Sequence, residues 1–345
     1  MNISENKEHL IKEKLIVEIY TIGYEPMGES ILFFIKGDNV VLFSGVIDCF
    51  EKENVNKTLE ILDANQVETV DFICLTHPDE DHCKGLDKII KKSGSETYII
   101  YPNGLFRVIE EKENKNAGVL KSVEELSKCL AKRKDDITKS KKIIGCSGKK
   151  EIISDNKISF KSLSTGNTYP FIINTYTPVS EIIDRYSAKS LLGLKAGETS
   201  HNNLSIVTAI AIGDFKMLLC GDVENDTLEL WTEEWNSDDE IFFSGVMDYL
   251  KIPHHTSRGS DILLQSLNKV RIFSNSVTTV FRNCSLPDEG LLKRYKNKSD
   301  KLYCTGKIKK EKIRKDCGIV KMTVDIFNRS IKNEVFGDAD EISEL

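Results

Sequence analysis

Apolar side chains along this chain come in short blocks of two kinds, and the spacing within each block predicts its element. Residues 15–24 (LIVEIYTIGY) and 30–48 (ILFFIKGDNVVLFSGVID) are dense in β-branched and aromatic side chains, the composition of strands. Gly37-Asp38-Asn39 supplies a turn inside the second block, so the pattern predicts a hairpin. Val55, Leu59 and Leu62 fall at helical spacing and predict a helix over 55–65. Residues 70–75 (VDFICL) read as a buried strand, followed by a helix over 85–92 and a strand over 97–101. Two helical patterns, around 104–112 and 118–133, precede the charged run KRKDDITKSKK. Strands return with ISFKSLST and FIINTYTP, and residues 180–200 form a polar loop or short helix. Residues 206–212 and 215–220 predict a central hairpin turning at Gly213-Asp214, with helices over 226–235 and 261–270. VRIFSNS, KLYCT and IVKMTVDIF are the last predicted strands, and the acidic tail, residues 337–345, is expected to fray. No repeat is present, and no Pro/Gly/Ser linker divides the chain, which predicts one domain over 1–336 with an insertion around 103–200.

The strand at 70–75 empties into Thr76-His77-Pro78-Asp79-Glu80-Asp81-His82, where four metal-capable side chains fall within six residues. Pro78 denies that loop a helical start, and Gly85 lets the backbone turn tightly. Imidazoles and carboxylates so closely spaced converge on one point only when the backbone is extended or looped. On a solvated surface such a density would need no explanation, but directly after an apolar strand it does. The chain has six histidines: His9 in the polar N-terminus, His77, His82, His201 and the adjacent pair His254-His255. The pair follows an apolar lead-in ending in Leu250-Lys251-Ile252-Pro253, and Asp222 ends another apolar strand, MLLCGD. Ligands arriving at the ends of separate strands are how a sheet scaffold builds a metal site.

THPDEDHCKGL at 76–86, NNLSIV at 202–207, LLCGD at 218–222 and LKIPHHTS at 250–257, in that order and separation, resemble the metallo-β-lactamase fold superfamily. Within it the chain is most similar to the soluble hydrolase domain of ComEC-type DNA-uptake proteins, over residues 15–326 or so. The resemblance and the element order together imply an α/β (α+β) protein, an αββα four-layer sandwich with helices on the outer faces of two sheets. The resemblance implies two divalent ions, zinc or manganese with magnesium a further candidate. It implies His77 and Asp79 as ligands of the first ion, Asp81 and His82 as ligands of the second, Asp222 as a bridge and His254 as completing the second site. Ions roughly 3.5–4 Å apart would hold a hydroxide between them for attack on phosphorus or carbonyl carbon. Asp79 stands where the ordinary family loop has histidine; the ComEC-like branch shares it, and a carboxylate there shifts preference toward harder ions. For the third ligand of the first ion two readings stay open. His201 could supply it, or Asn202, Asn203 and Ser205 could bind substrate there instead. Family members commonly carry Gly where this chain has Thr256; Thr256 and Ser257 are candidate substrate contacts. Asp81 is also a candidate catalytic residue, and His255 either an orienting group or the leaving-group acid. Asp48 is either a hydrogen-bond acceptor beneath the metal loop or a participant in catalysis.

Composition adjusts this picture at a few points. Nine scattered cysteines with no C-x-x-C pair read as reduced thiols, and no apolar run approaches the roughly 18 residues of a spanning helix. A cytoplasmic protein without a membrane role is therefore expected. The net charge of −6 argues against a surface coated for nucleic acid, yet it is unevenly spread. Residues 293–315 hold eleven basic residues against two acids, and residues 222–240 hold nine acids and no Lys or Arg. Such a basic run is more often a solvated face than a groove for DNA; as a groove it would use Lys293, Arg294, Lys307, Lys309 and Lys310. The leading expectation is a metal-dependent nuclease or phosphodiesterase with DNA as substrate. The alternatives are a small-molecule ester, lactam or cyclic-nucleotide hydrolase, and a metal-holding effector active only with a protein partner bound through 103–200. Oligomeric state is open.

Overall fold

The computed structural model describes residues 7–106, 117–134, 142–191, 201–308 and 317–344. Two twisted sheets lie face to face. The eight-stranded sheet runs in the order Ser330–Gly337, Cys317–Asp325, Leu15–Tyr24, Glu29–Gly37, Val40–Ile47, Val70–Cys74, Ser93–Pro102 and Ile143–Cys146. The ten-stranded sheet runs Lys7–Ile11, Ile158–Ser162, Thr168–Thr175, Thr208–Ile212, Phe215–Leu219, Gly245–Lys251, Val270–Thr278, Ser299–Cys304 and Asp340–Glu341, with Lys150–Ile153 also paired to Thr168–Thr175.

Three apolar layers separate four structural layers, which is the expected αββα sandwich. Phe33, Phe43, Phe72, Phe160, Phe171, Met217 and Tyr249 fill the space between the sheets. Helices Lys57–Ala64, Leu86–Lys91 and Ala117–Lys134 cover the outer face of the eight-stranded sheet through Leu62, Leu86, Ile89, Ile90, Val123 and Leu126. Helices Asn225–Glu233 and Glu289–Asn297 cover the other sheet with Leu228, Trp231, Leu291, Leu292 and Tyr295. Because both faces of each sheet are covered, the central strands carry apolar residues on both sides. In Leu15–Tyr24, Val17 and Ile19 join the inter-sheet core, while Tyr20, Ile22 and Tyr24 meet the helical layer.

The two halves each place parallel strands beside one another near the middle of the sandwich. Val40–Ile47 pairs in parallel with Val70–Cys74, and Phe215–Leu219 with Gly245–Lys251, which in turn pairs in parallel with Val270–Thr278. Asp48, the 76–82 loop, Asp222, His254-His255 and Thr279 all follow the carboxyl ends of these strands. Loops at that edge are free to carry function while the strands stay rigid.

Several parts of the chain differ from the sequence expectation or add to it. Within the 103–200 stretch, strands at 143–146, 150–153, 158–162 and 168–175 are woven into both sheets. Its helix Ala117–Lys134 braces the metal loop from behind, where Ser122 Oγ donates to the Cys83 carbonyl at 2.6 Å. The polar N-terminus contributes a strand, Lys7–Ile11, and His9 stacks on Phe160 with ring centroids 5.4 Å apart. The tail does not fray at its start. Asp340–Glu341 pairs with the end of Ser299–Cys304, and Ile342 is buried. Part of the pattern at 104–112 lies outside the described residues, and the helix expected over 261–270 contracts to Leu263–Ser266. No helix among the described residues is long and apolar enough to cross a membrane.

If the tail is tied down in this way, Ile342→Ala should lower unfolding free energy by about 2–3 kcal/mol in urea titration. A frayed tail would leave the midpoint unchanged.

Candidate functional site

The site begins with Asp48. It sits in the left-handed region (φ 56°) immediately after its strand, which turns its carboxylate under the metal loop. There it accepts three hydrogen bonds: from Thr76 N at 2.8 Å, from Thr76 Oγ1 at 2.5 Å and from His82 Nδ1 at 2.7 Å. These bonds decide the imidazole tautomers. The Thr76 hydroxyl gives its single proton to Asp48, so at 3.0 Å from His77 it accepts from Nδ1–H. His77 and His82 therefore both present Nε2 to the opposite side, with ring centroids 4.3 Å apart.

The loop delivering them is extended through Pro78 and then forms one helical turn, Glu80–Cys83, which carries Asp81 and His82 inward. Asp222 arrives from the other sheet. Gly221 before it has φ +52°, and a Cβ there would lie 3.0 Å from the Thr76 side chain, so glycine lets the two loops meet. Ser205 Oγ accepts the Asp222 N–H at 3.2 Å and holds the carboxylate's backbone.

The third contribution is a left-handed turn. His254, His255 and Thr256 have φ of 46°, 49° and 63°, held by Thr256 Oγ1 donating to Thr278 Oγ1 at 2.7 Å and by His254 N–H to the Gly221 carbonyl at 3.1 Å. Such a run in non-glycine residues costs on the order of 1 kcal/mol or more per residue, and it changes which imidazole turns inward. His255 Nε2 lies 3.3 Å from Asp81 Oδ2 and 3.4 Å from Asp222 Oδ2. His254 stands on the rim instead, with Nδ1 3.4 Å from Glu224 Oε1 and Nε2 3.2 Å from Asn202 Nδ2. His255, rather than His254, is thus the ring of the pair that faces Asp81 and Asp222.

The remaining expected residues divide. His77, Asp79, Asp81, His82 and Asp222 come together: His82 Nε2 is 3.5 Å from Asp81 and 3.4 Å from Asp222, and His77 Nε2 is 3.8 Å from Asp79 Oδ2. His201 joins through Asp79, with Nδ1 2.9 Å from Oδ1. Asn202 reaches the rim, between Glu224 and His254. Asn203 Oδ1 accepts from Thr227 Oγ1 at 3.1 Å inside the fold, and the Ser205 and Thr256 hydroxyls are engaged as described. Ser257 Oγ accepts from the Gly259 N–H at 3.2 Å. All four are hydrogen-bonded within the fold. Among the basic residues, Lys293 is exposed, Arg294 is 3.3 Å from Asp261 and Lys307 is 2.6 Å from Asp340; Lys309 and Lys310 lie outside the described residues.

Two buried charges went unread in the sequence. Glu29 and Lys251, both with no exposed surface, form an ion pair of 2.8 Å beneath the histidines. Glu29 Oε2 also accepts from Thr279 Oγ1 at 2.6 Å, and Thr279 Oγ1 is 2.7 Å from His255 Nδ1. A lysine between Leu250 and Ile252 in an apolar strand was the available signal, because a buried ammonium needs a counter-charge. Glu29 follows Gly28 after a turn and carries no such mark.

The donor set fits divalent cations. Glu29 with His82, Asp222 and His255, and Asp48 with His77 and His82, bring ligand-capable atoms within 4.8 Å of one another. Asp48 lies at the Nδ1 edge of His82 and Glu29 faces the Nδ1 edges of His82 and His255, so these two carboxylates orient the rings. His77 Nε2, His82 Nε2 and Asp222 Oδ1 are buried without a hydrogen-bond partner. Buried polar atoms left so are costly, and bound cations would satisfy them.

The electrostatics agree. Burial opposes charge on His82 and His255, yet Asp222 and the carboxylates around it prevail. They hold His82 well above its ordinary value and raise His255 from 6.5 to about 9. Burial alone would raise Asp222, but His255 and His82 hold it well below the usual carboxylate range. His77 is lowered by burial and by His82. A pocket that protonates two imidazoles is one that attracts positive charge.

No family model and no curated protein matches the sequence. Solved structures show a distant likeness. The metallo-beta-lactamase fold protein YhfI from Bacillus subtilis is 10% identical, with 83% of this chain and 95% of that chain covered and a TM-score of 0.37. Zn(2+)-bound PqqB from Methylobacterium extorquens is 10% identical over 69% of this chain and 72% of its own, with a TM-score of 0.32. The DIM-1 metallo-beta-lactamase exposed to ceftazidime is 9% identical over 64% and 80%, with a TM-score of 0.30.

Two outcomes are expected. Lys251→Met should destabilise the protein by about 3–5 kcal/mol in urea, since it strands a buried carboxylate, and adding Glu29→Gln should recover much of the loss. The second concerns pH. The raised His255 value contributes stability that is fully present below its ordinary 6.5 and is lost as pH rises through about 9. Metal-free protein should therefore melt lower as pH climbs across that window. The thermal shift on adding manganese or zinc should grow over the same window, because ligand nitrogens must lose protons to bind.

Proposed function

We propose that the protein is a metal-dependent hydrolase and that its substrate is a DNA phosphodiester. The observation that carries the first part is the set of buried, partnerless ligand atoms, His77 Nε2, His82 Nε2 and Asp222 Oδ1, drawn from both sheets to one place. His77 and Asp79 would hold one ion, and Asp81, His82 and His255 a second, with the Asp222 carboxylate between them. His201 would act on the first through Asp79. Bound divalent ions act as Lewis acids there and make water acidic enough to furnish hydroxide at neutral pH.

The chain's own residues supply the rest. Asp48 and Thr76 fix the ring orientation of His77 and His82, and Thr279 does the same for His255. His254, half-buried on the rim beside Asn202 and Glu224, would be the group that gives a proton to a leaving oxygen. That role had been one reading of His255, which the geometry turns inward. Carboxylates at Asp79, Asp81 and Asp222 beside imidazoles suit manganese or zinc, and magnesium with weaker nitrogen ligation.

The choice of DNA rests on the resemblance of the 76–86, 202–207, 218–222 and 250–257 segments to the DNA-processing branch and on the basic run at 293–315. One observation favours a second reading, a small ester, lactam or cyclic nucleotide. Arg294 and Lys307 are already paired with acids, and Glu224 and Asp79 make the rim acidic.

Purified protein incubated with labelled linear and circular DNA across manganese, magnesium and zinc should cleave, and Asp222→Ala should fall to background with its fold intact. Wild-type-like cleavage by that variant would end the proposal. Rising salt separates the substrates, because DNA cleavage should fall steeply while turnover of a small ester should not.

A further inference from the structure

Strand Ser330–Gly337 closes one edge of the eight-stranded sheet, paired along its whole length with Cys317–Asp325. No strand among the described residues pairs with its other side. Eight residues of unpaired backbone are a long edge, and proteins usually shorten, bulge or cover such edges. This one keeps large apolar side chains exposed. Ile331, Val335 and Phe336 are 40%, 42% and 48% exposed. Ile331 and Val335 stand opposite Val324 and Val320, both members of the inter-sheet core, and Asn333 between them donates to Asn275 Oδ1 of the other sheet at 2.8 Å, so the core runs out to this edge.

The order of side chains along the edge selects its occupant. Its sequence is Ser330-Ile331-Lys332-Asn333-Glu334-Val335-Phe336-Gly337. In an antiparallel pairing about a two-fold axis through Asn333, residue 332 of one copy lies opposite residue 334 of the other. Lys332 then faces Glu334 twice, once on each side of the axis. In the single chain Lys332 Nζ lies 2.9 Å from Glu334 Oε1, so the two heads share one face of the strand. On the opposite face the same register sets Ile331 against Val335 twice and Asn333 against itself. An unrelated acidic or basic strand would satisfy one of these charges and repel the other. A lone edge lysine would repel a second copy, but here its counter-charge arrives by symmetry.

We propose that two copies of this chain associate through this strand, antiparallel and centred on Asn333, joining the two eight-stranded sheets into one. The interface is isologous and closed, so it yields a dimer and not a fibre.

Charge swapping tests the register as well as the association. Wild-type protein at tens of micromolar should run as a dimer by light scattering after size exclusion. Lys332→Glu alone sets like charges opposite each other twice, as does Glu334→Lys alone, and each should weaken the dimer on the order of tenfold. The double variant Lys332→Glu/Glu334→Lys should restore it. An equimolar mixture of the two single variants should form a heterodimer at wild-type strength, which no general loss of folding could produce. A monomeric wild type, or a dimer indifferent to both single swaps, would overturn the proposal. Lys332 is exposed and Glu334 partly so, and both are distant in sequence from the histidine cluster, so the outcome is read independently of hydrolysis.

Discussion

Everything at the candidate site depends on one hydrogen bond, the 2.7 Å contact between His82 Nδ1 and the Asp48 carboxylate. A buried imidazole can serve as a ligand only if one nitrogen is bare and aimed correctly. Asp48 secures both by accepting the proton on the other nitrogen and fixing the ring's plane. Through the Thr76 hydroxyl the same carboxylate sets the tautomer of His77, so a single residue orients two imidazoles. Glu29 does the equivalent for His255 through Thr279, and against its complete burial Lys251 holds that carboxylate below its ordinary value. The result is an excess of negative charge at the centre, which only a cation or protons can offset.

The sandwich makes such a cluster affordable to the fold by drawing its members from rigid strand ends. Asp48 and the 76–82 loop come from one sheet and Asp222, His255 and Lys251 from the other, so the inter-sheet core sets the distance between them. Phe33, Phe72, Met217 and Tyr249 are therefore as much part of the site's geometry as its ligands. Repulsion among the carboxylates acts against packing that lies outside the cluster, and the aromatic layer resists the shift that would relieve it.

Much of this was legible in the sequence where one local rule governed. The hairpin at 15–47, the strand before His77 and the strand before Asp222 are short β-branched blocks with turn residues at their ends, and the structure keeps them. The 76–82 cluster was legible because ligand-capable residues that dense after a buried strand have few other uses. What escaped reading depended on partners far away in the chain. Lys251 and Glu29 are separated by more than two hundred residues and explain each other only when paired. The strands at 143–146 and 150–153 are four residues each, too short to show a period, and gain their structure from neighbours. The tail looked solvated because its acids outnumber its apolar residues, yet one buried isoleucine and a short pairing hold it.

The pair His254-His255 shows where sequence order stops being informative. Two adjacent imidazoles after a strand offer the same chemistry, and an extended chain would send them to opposite faces. Three successive left-handed residues send one into the carboxylate cluster and leave the other at its rim. That backbone is unfavourable for a β-branched residue such as Thr256, so it persists only because Thr278, Gly221 and Pro253 hold it through side-chain and main-chain hydrogen bonds. The strain held at this point separates two identical groups. The inner ring lies between Asp81 and Asp222, while the outer ring lies beside Glu224 and Asn202. A turn that relaxed to ordinary geometry would lose that separation.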